Sequence, residues 1–346
     1  MPTKYTPLKP THDLAEDNSQ LLARNNSPTS ERSSKGHRDQ NAIKQRFWLL
    51  VLIVSLMLNQ PACAWNHFGH MTVACVCYEK LTPPVKRRVN ELVKLNPLYS
   101  DWVQQVSQTQ EDKDEQLFML AATWPDLIKQ RPGYTNDAPG SPESYNNIGY
   151  ADKNMHRSWH FVYYPYSQDH TPLPALPTPN AETQIAKFQQ VLSSPAADDL
   201  KSYDLCYLVH IVGDVHEPLH CITRVTKSSP KGDGGGHDVQ LTDSAKELHN
   251  YWDSALGPNA PPATAIPLAK SLGKANTRLA AVSDVHQWTS ESHKIAIDNI
   301  YQKPIGPGNG PYSLTDRYKR MTTKITREGA ELAGERLANW LNQNLK

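Results

Sequence analysis

Neither sign of charge dominates this sequence: 36 Lys and Arg stand against 35 Asp and Glu, a net of +1. A balance that even excludes nucleic-acid recognition by bulk charge alone. Residues 1–64 hold 8 basic and 5 acidic side chains, which leaves 28 and 30 in the remainder, about −2. Any anionic ligand of that remainder must be drawn in by something local, such as bound metal ions. Cysteine is scarce, five in 346 residues, and the spacing of Cys206 and Cys221 does not resemble a zinc knuckle. Internal repeats are absent, which excludes a solenoid or propeller. Long hydrophobic runs are absent too, save Phe47 to Leu58, and that one falls short of the roughly 20 residues of a membrane span.

That run suits the core of a signal peptide. Lys44 and Arg46 precede it, and Ala62-Cys63-Ala64 supplies the small-x-small cleavage pattern. Cleavage after Ala64 makes Trp65 the new N-terminus, and the mature chain is then secreted or periplasmic. An uncleaved signal anchor, which would make a membrane a partner, is the alternative. Residues 1–46 are polar, rich in Ser, Asn, Lys and Arg, and read as a disordered tail. An exported chain can oxidise Cys75, Cys77, Cys206 and Cys221. Four buried thiols are the other reading, and connectivity does not follow from sequence.

The remaining chain, 65–346, reads as a single, mainly α-helical (all-α) domain with short β segments. Helical patterns cover Met71–Tyr78, then a stretch from Pro83-Pro84 to Leu95, then 101–106 and 116–128. Loop composition fills 131–150. Residues 158–164 are β-rich, and 181–194 and 197–215 are helical. Residues 227–237, with three consecutive glycines, read as a mobile loop, and 238–241 as a short strand. Further helices are expected near 242–256, 263–295 (broken) and 313–344.

The most informative stretch is His210-Ile-Val-Gly-Asp-Val-His-Glu-Pro-Leu-His220. It continues a helix apolar enough to be buried, so His210 and Asp214, four apart, share one face. A buried imidazole beside a buried carboxylate is costly unless the two are paired or bind metal. Pro218 ends the helix and frees His220 to turn back toward the same pocket. His216 points away and reads as structural. Glu247-Leu-His-Asn-Tyr-Trp-Asp253 repeats the logic with His249 and Asp253. Asp126 and His160 sit at the ends of apolar or aromatic stretches, and His70 lies one turn after the expected new N-terminus. His156 and His160 are also four apart, and spacing does not choose between them. Such a set can hold more than one zinc, at about four ligands each. A buried hydrogen-bonded cluster is the alternative.

Trp-x4-His after a signal peptide, Trp-x-Asp, His-Phe, His-x3-Asp-x-His-x-Pro-Leu-His, a Gly-Gly loop and Leu-His-x3-Asp together resemble the trinuclear zinc nuclease family. That family includes fungal single-strand-specific nucleases and plant bifunctional nucleases with 3′-nucleotidase activity, and bacterial zinc phospholipases C share its fold. The resemblance covers residues 65–342 and implies a helical domain of that type, with three zinc ions at the base of a cleft. It implies that Asp126, His160, His210 and Asp214 hold one ion. Trp65, through its free amine and carbonyl oxygen, and His70 hold a second, bridged by Asp214. His220, His249 and Asp253 hold the third. His160 rather than His156 matches the family's His-Phe motif, and His67 is left as a surface residue without a role.

The implied reaction is hydrolysis of single-stranded RNA and DNA to 5′-phosphorylated products, with activity on 3′-nucleotides left open. Two zincs about 3.5–4 Å apart share a water and lower its pKa, which gives a hydroxide nucleophile. Asp126 and Asp214 hold those ions. Lys129 stands where the fungal and plant enzymes use Arg, and neutralises phosphate as a point charge without the planar fork. A solvated surface lysine is the alternative there. Phe161 matches the aromatic that stacks a base. Gly235, Gly236 and His237 occupy the substrate loop, with His237 in place of the usual Asn, and Tyr163 replaces an acid that touches the base edge. No stable protein partner is inferred. A zinc phospholipase C is the competing reading. Asp253, where phospholipases typically carry Glu, and the close spacing of Trp65 and His70 favour the nuclease.

Overall fold

The computed structural model describes residues 65–106 and 109–345. The polar tail and the signal-peptide segment lie outside the described residues. In chain order the α-helices are α1 (His67–Lys80), α2 (Pro83–Val93), α3 (Tyr99–Val103), α4 (Gln110–Ala121) and α5 (Trp124–Leu127). They continue as α6 (Ala181–Leu192), α7 (Asp198–Asp214), α8 (Leu248–Asp253), α9 (Ala265–Lys270), α10 (Thr277–Ala280), α11 (Val285–Ile295) and α12 (Asp316–Asn344). Two three-residue strands, β1 (Tyr164–Tyr166) and β2 (Ile222–Arg224), pair in parallel. The architecture is mainly α-helical, as expected.

Two helices are buried nearly all round, which places them at the centre of the packing. In α7 every residue from Lys201 to Asp214 is buried, and α1 is buried from Phe68 to Tyr78. The Asn66 side chain caps α1 by accepting from Gly69 N at 3.0 Å. The long α12 lies along α1. A Cβ at Gly334 would stand 2.5 Å from Val76 Cγ1, so glycine sets how closely these helices approach. The parallel β1–β2 pairing joins the chain after His160 to the chain after His220. Val162 N donates to His220 O at 2.9 Å just before it.

Local tertiary contacts override several sequence expectations. Residues 157–160 form a 3-10 turn, and the strand begins only at Tyr164. His156 adopts φ 47° and stacks on Trp159 at 3.6 Å, while Trp159 Nε1 donates to Ser144 O, and these contacts curl the segment. The helix expected over 242–256 shrinks to α8, because Lys246 takes φ 63° in a turn closed by Lys246 N on Asp243 O. Residues 238–241 form isolated bridges rather than a strand, with Gln240 opposite Glu247 and Leu241 opposite Tyr312. The expected break in 263–295 gives α9, α10 and α11. The four cysteines of the described residues are buried free thiols. No helix among the described residues is long and apolar enough to cross a membrane.

Asp204, in the first half of α7, is fully buried, with Oδ2 accepting from Asn147 Nδ2 at 3.1 Å. Burial outweighs Asn147 and Lys187 and pushes its carboxyl up to about 8. The folded chain therefore keeps this proton where the unfolded chain, near the ordinary value of about 3.9, has lost it. The contribution is complete below about pH 4 and is lost as pH rises through about 8. Asp204→Asn should gain on wild type by roughly 1–3 kcal/mol between pH 6 and pH 8.5. Urea melts at the two pH values measure this; a pH-independent difference contradicts it.

Candidate metal centre

Six separate elements deliver the histidines and aspartates. His70 comes from the first turns of α1 and Asp126 from α5. His160 ends the 3-10 turn Arg157–His160, and His210 and Asp214 lie on the buried end of α7. His220 sits on the 3-10 turn Pro218–Cys221, and His249 and Asp253 on α8. Donor atoms come within 4.8 Å of one another in three buried groups: His70, His210 and Asp214; Asp126, His160 and His210; His220, His249 and Asp253. The first two groups share His210.

Asp214 is the hub. His70 Nε2 lies 3.3 Å from its Oδ1, while His160 Nδ1 and His210 Nε2 lie 3.1 and 3.3 Å from its Oδ2. Asp126 Oδ1 stands 3.6 Å from His210 Nε2. In the third group, Asp253 Oδ1 and Oδ2 lie 3.7 and 3.4 Å from Nε2 of His220 and His249. Gly213 makes room for His70: a Cβ there would stand 3.0 Å from the ring Nδ1.

Three rings are fixed by their other nitrogen. Nδ1 donates to a backbone oxygen in His210 (Ala122 O, 2.7 Å), His220 (His160 O, 3.0 Å) and His249 (Gly235 O, 2.8 Å). A metal-binding histidine is commonly oriented this way, with the free nitrogen turned inward. The inward atoms form a candidate donor set. His70 Nε2, Asp126 Oδ2, His160 Nε2, Asp214 Oδ1, His220 Nε2 and both Asp253 oxygens are buried without a hydrogen-bond partner among the described residues. Buried polar atoms are rarely left so, and a bound cation satisfies them together. Nitrogen and carboxylate donors in this number fit zinc.

The electrostatics agree. Burial drives His70 down to about 3 and holds His160, His210 and His249 well below the usual histidine range, in the neutral form that binds metal. Burial pushes Asp214 and Asp253 well above the usual carboxylate range, which a dication would reverse. Burial acts on Asp126 in the same sense, but Lys129, His160 and His70 outweigh it and hold that carboxyl low.

Lys129 is no solvated surface lysine. Its side chain is 7 % exposed and Nζ lies 2.7 Å from Asp126 Oδ1. His67, expected at the surface, is partly buried and close enough to feel Asp126, His70 and Lys129. Trp65 is fully buried, and the next residue binds the third group's helix through Asn66 N on Asp253 O at 3.0 Å. Phe161 is half-buried and stacks on Tyr163 with ring centres 4.0 Å apart. His237 stacks on His249 at 3.7 Å and meets Glu247 through Nδ1 at 3.2 Å. His156 stays outside the centre, held between Asp137 and Asp152 at 3.2 Å from each, and His216 is held by Val212 O and Arg336.

The glycine loop, read from its composition as mobile, is closely packed here. Gly235 and Gly236 are buried, and a Cβ on Gly235 would stand 2.4 Å from Leu219 O. Asp233 holds the loop by accepting from Arg224 N, Gly236 N and the Tyr301 hydroxyl. Its glycines serve close packing, which in turn aims Gly235 O at His249. Sequence reading missed Asp233, and also Glu217, whose buried Oε2 accepts from His220 N at 3.1 Å and caps that turn. For Glu217 a signal existed: an acid directly before a proline that begins a helical turn. Asp233→Ala should cut turnover about 10- to 100-fold by loosening His249, with zinc content falling short by one ion per chain. Full zinc content and activity in that variant would contradict this role.

A family model described as S1/P1 Nuclease matches residues 65–346. Nuclease S1 of Aspergillus oryzae is 21% identical over 321 residues, which cover 85% of this chain and 96% of that protein. With that match spanning most of its length, the chain belongs to the S1/P1 nuclease family.

Proposed function

We propose that this nuclease hydrolyses the phosphodiester bonds of single-stranded RNA and DNA and leaves 5′-phosphates. The reading rests on one observation above all: three buried histidine–aspartate groups with unpartnered donor atoms, Lys129 against one of their carboxylates and Phe161 directly after His160. We assign one zinc ion to Asp126, His160, His210 and Asp214, a second to Trp65, His70 and Asp214, and a third to His220, His249 and Asp253. Bound zinc supplies a nucleophile at neutral pH and neutralises charge on the phosphate.

The chain's own residues do the rest. Lys129, already beside Asp126, places a positive charge where a phosphate oxygen arrives. Phe161 offers its face opposite Tyr163 to a nucleobase, a contact worth about 1–3 kcal/mol that tolerates any sequence. A paired base has no free face, and this selects single strands. With Tyr163 and His237 at the rim, base preference follows stacking more than hydrogen bonding to an acid. Trp65 contributes a strong nitrogen donor only as a free amine, so export and removal of the leader are part of assembling the site.

Initial rates on denatured DNA and on phosphatidylcholine, with the mature zinc-loaded protein, test the reading. Cleavage of DNA with no lipid hydrolysis is expected. Lipid hydrolysis alone would overturn it in favour of a phospholipase C.

A further inference from the structure

The same short turn that delivers Lys129 to Asp126 carries Arg131 two residues on, to the mouth of a separate cavity of about 510 Å³. That volume falls within the roughly 300–1,000 Å³ of small-ligand sites. Its floor is apolar, with Leu98 and Trp102 on and beside α3. Its mouth is polar, with Asp101, Gln105, Arg131 and Asn259 all exposed there. His67 forms part of its wall and also lies within electrostatic reach of Asp126, His70 and Lys129, so cavity and metal centre adjoin.

We infer that this cavity is a second base pocket, which takes the nucleobase across the scissile bond from the one stacked on Phe161. This rests on the nuclease reading above. Lys129 and Arg131 follow one another along the same turn, as successive phosphates do along a strand. Asp101 at the mouth disfavours a phosphate inside and suits the amino groups of a base. Gln105 Nε2 donates to Asp101 O, and Asn259 Oδ1 accepts from Phe68 N. Gln105 Oε1 and Asn259 Nδ2, for which no protein partner is found among the described residues, then supply an acceptor and a donor to a base edge. The apolar floor covers the ring.

The test uses mature zinc-loaded protein and single-stranded DNA oligonucleotides carrying one abasic nucleotide on either side of the cleaved bond. Wild type should lose about 5- to 100-fold in kcat/KM for either abasic position. Ala260→Phe, which fills the cavity wall, should lower cleavage of intact DNA and abolish discrimination on one side only. Phe161→Ala should abolish it on the other. Arg131→Ala should make the salt dependence of log kcat/KM shallower by about 0.7, the share of one phosphate of a single strand. The pocket is overturned if wild type cleaves yet ignores the abasic nucleotide on the side away from Phe161. It is equally overturned if A260F and R131A both match wild type on intact DNA at all salt concentrations. No cleavage of any oligonucleotide by wild type would overturn the functional reading itself.

Discussion

Asp214→Asn should reduce phosphodiester hydrolysis by at least about 10³-fold, while the metal-free protein melts no lower than metal-free wild type. Both halves follow from one residue. Asp214 is fully buried and meets His70, His160 and His210 within 3.3 Å, so it joins the first two groups of donors. An amide in its place offers no negative charge to bridge two cations. Without metal, however, burial outweighs the opposing pull of His220 and Lys129, which is why the carboxyl sits well above the usual range. Replacing it with a neutral isostere removes that penalty. The variant thus loses function and metal together and keeps its fold. Activity assays, zinc analysis and thermal melts of both proteins with and without zinc check this. A variant that retains zinc and turnover, or whose metal-free form melts far below that of wild type, contradicts the assignment.

Chelation should have the second largest effect. EDTA should abolish activity, and zinc should restore it. The melting temperature should fall on the order of 10 °C, since ligand at 100 to 1,000 times its Kd stabilises by about 2.7–4.1 kcal/mol per site. The pH dependence has a definite sign. In the metal-free fold, burial raises Asp214 and Asp253, so they take up protons above the ordinary carboxylate range. Acid therefore favours the metal-free fold and opposes the loaded one, because the carboxylates must be ionised to bind. The zinc-dependent rise in melting temperature should shrink as pH falls, beginning above the usual pKa of about 3.9. A rise that is constant with pH, or activity that survives exhaustive chelation, would sink this chemistry.

Helical periodicity made part of this centre legible in the sequence. His210 with Asp214 and His249 with Asp253 announce themselves because i and i+4 share a helix face and nothing else on those faces pairs with them. The family resemblance then separated His160 from His156. The structure gives the physical reason: His156 already has a carboxylate at each ring nitrogen, Asp137 and Asp152. Burial alone would lower that ring, but the hydrogen bonds to both acids outweigh it and raise it.

What sequence hid was set by contacts between distant segments. The run 158–164 has β-type residues, yet the stacking of His156 on Trp159 and the pull of Ser144 O curl it into a turn. The segment 242–256 has helical composition, but its first half is spent on bridges to Gln240 and on the turn at Lys246. Asp233 looks like any acid in a glycine loop until Tyr301, 68 residues away, is seen to donate to it. His67 looks like a surface residue until α5 and the turn after it bring Asp126 and Lys129 alongside.

The most direct measurement combines N-terminal sequencing with metal counting on the purified, active mature protein. A chain that begins at Trp65 and carries three zinc ions is expected. Full activity in a preparation with no bound metal, or three ions on a chain that still bears its leader, would contradict it.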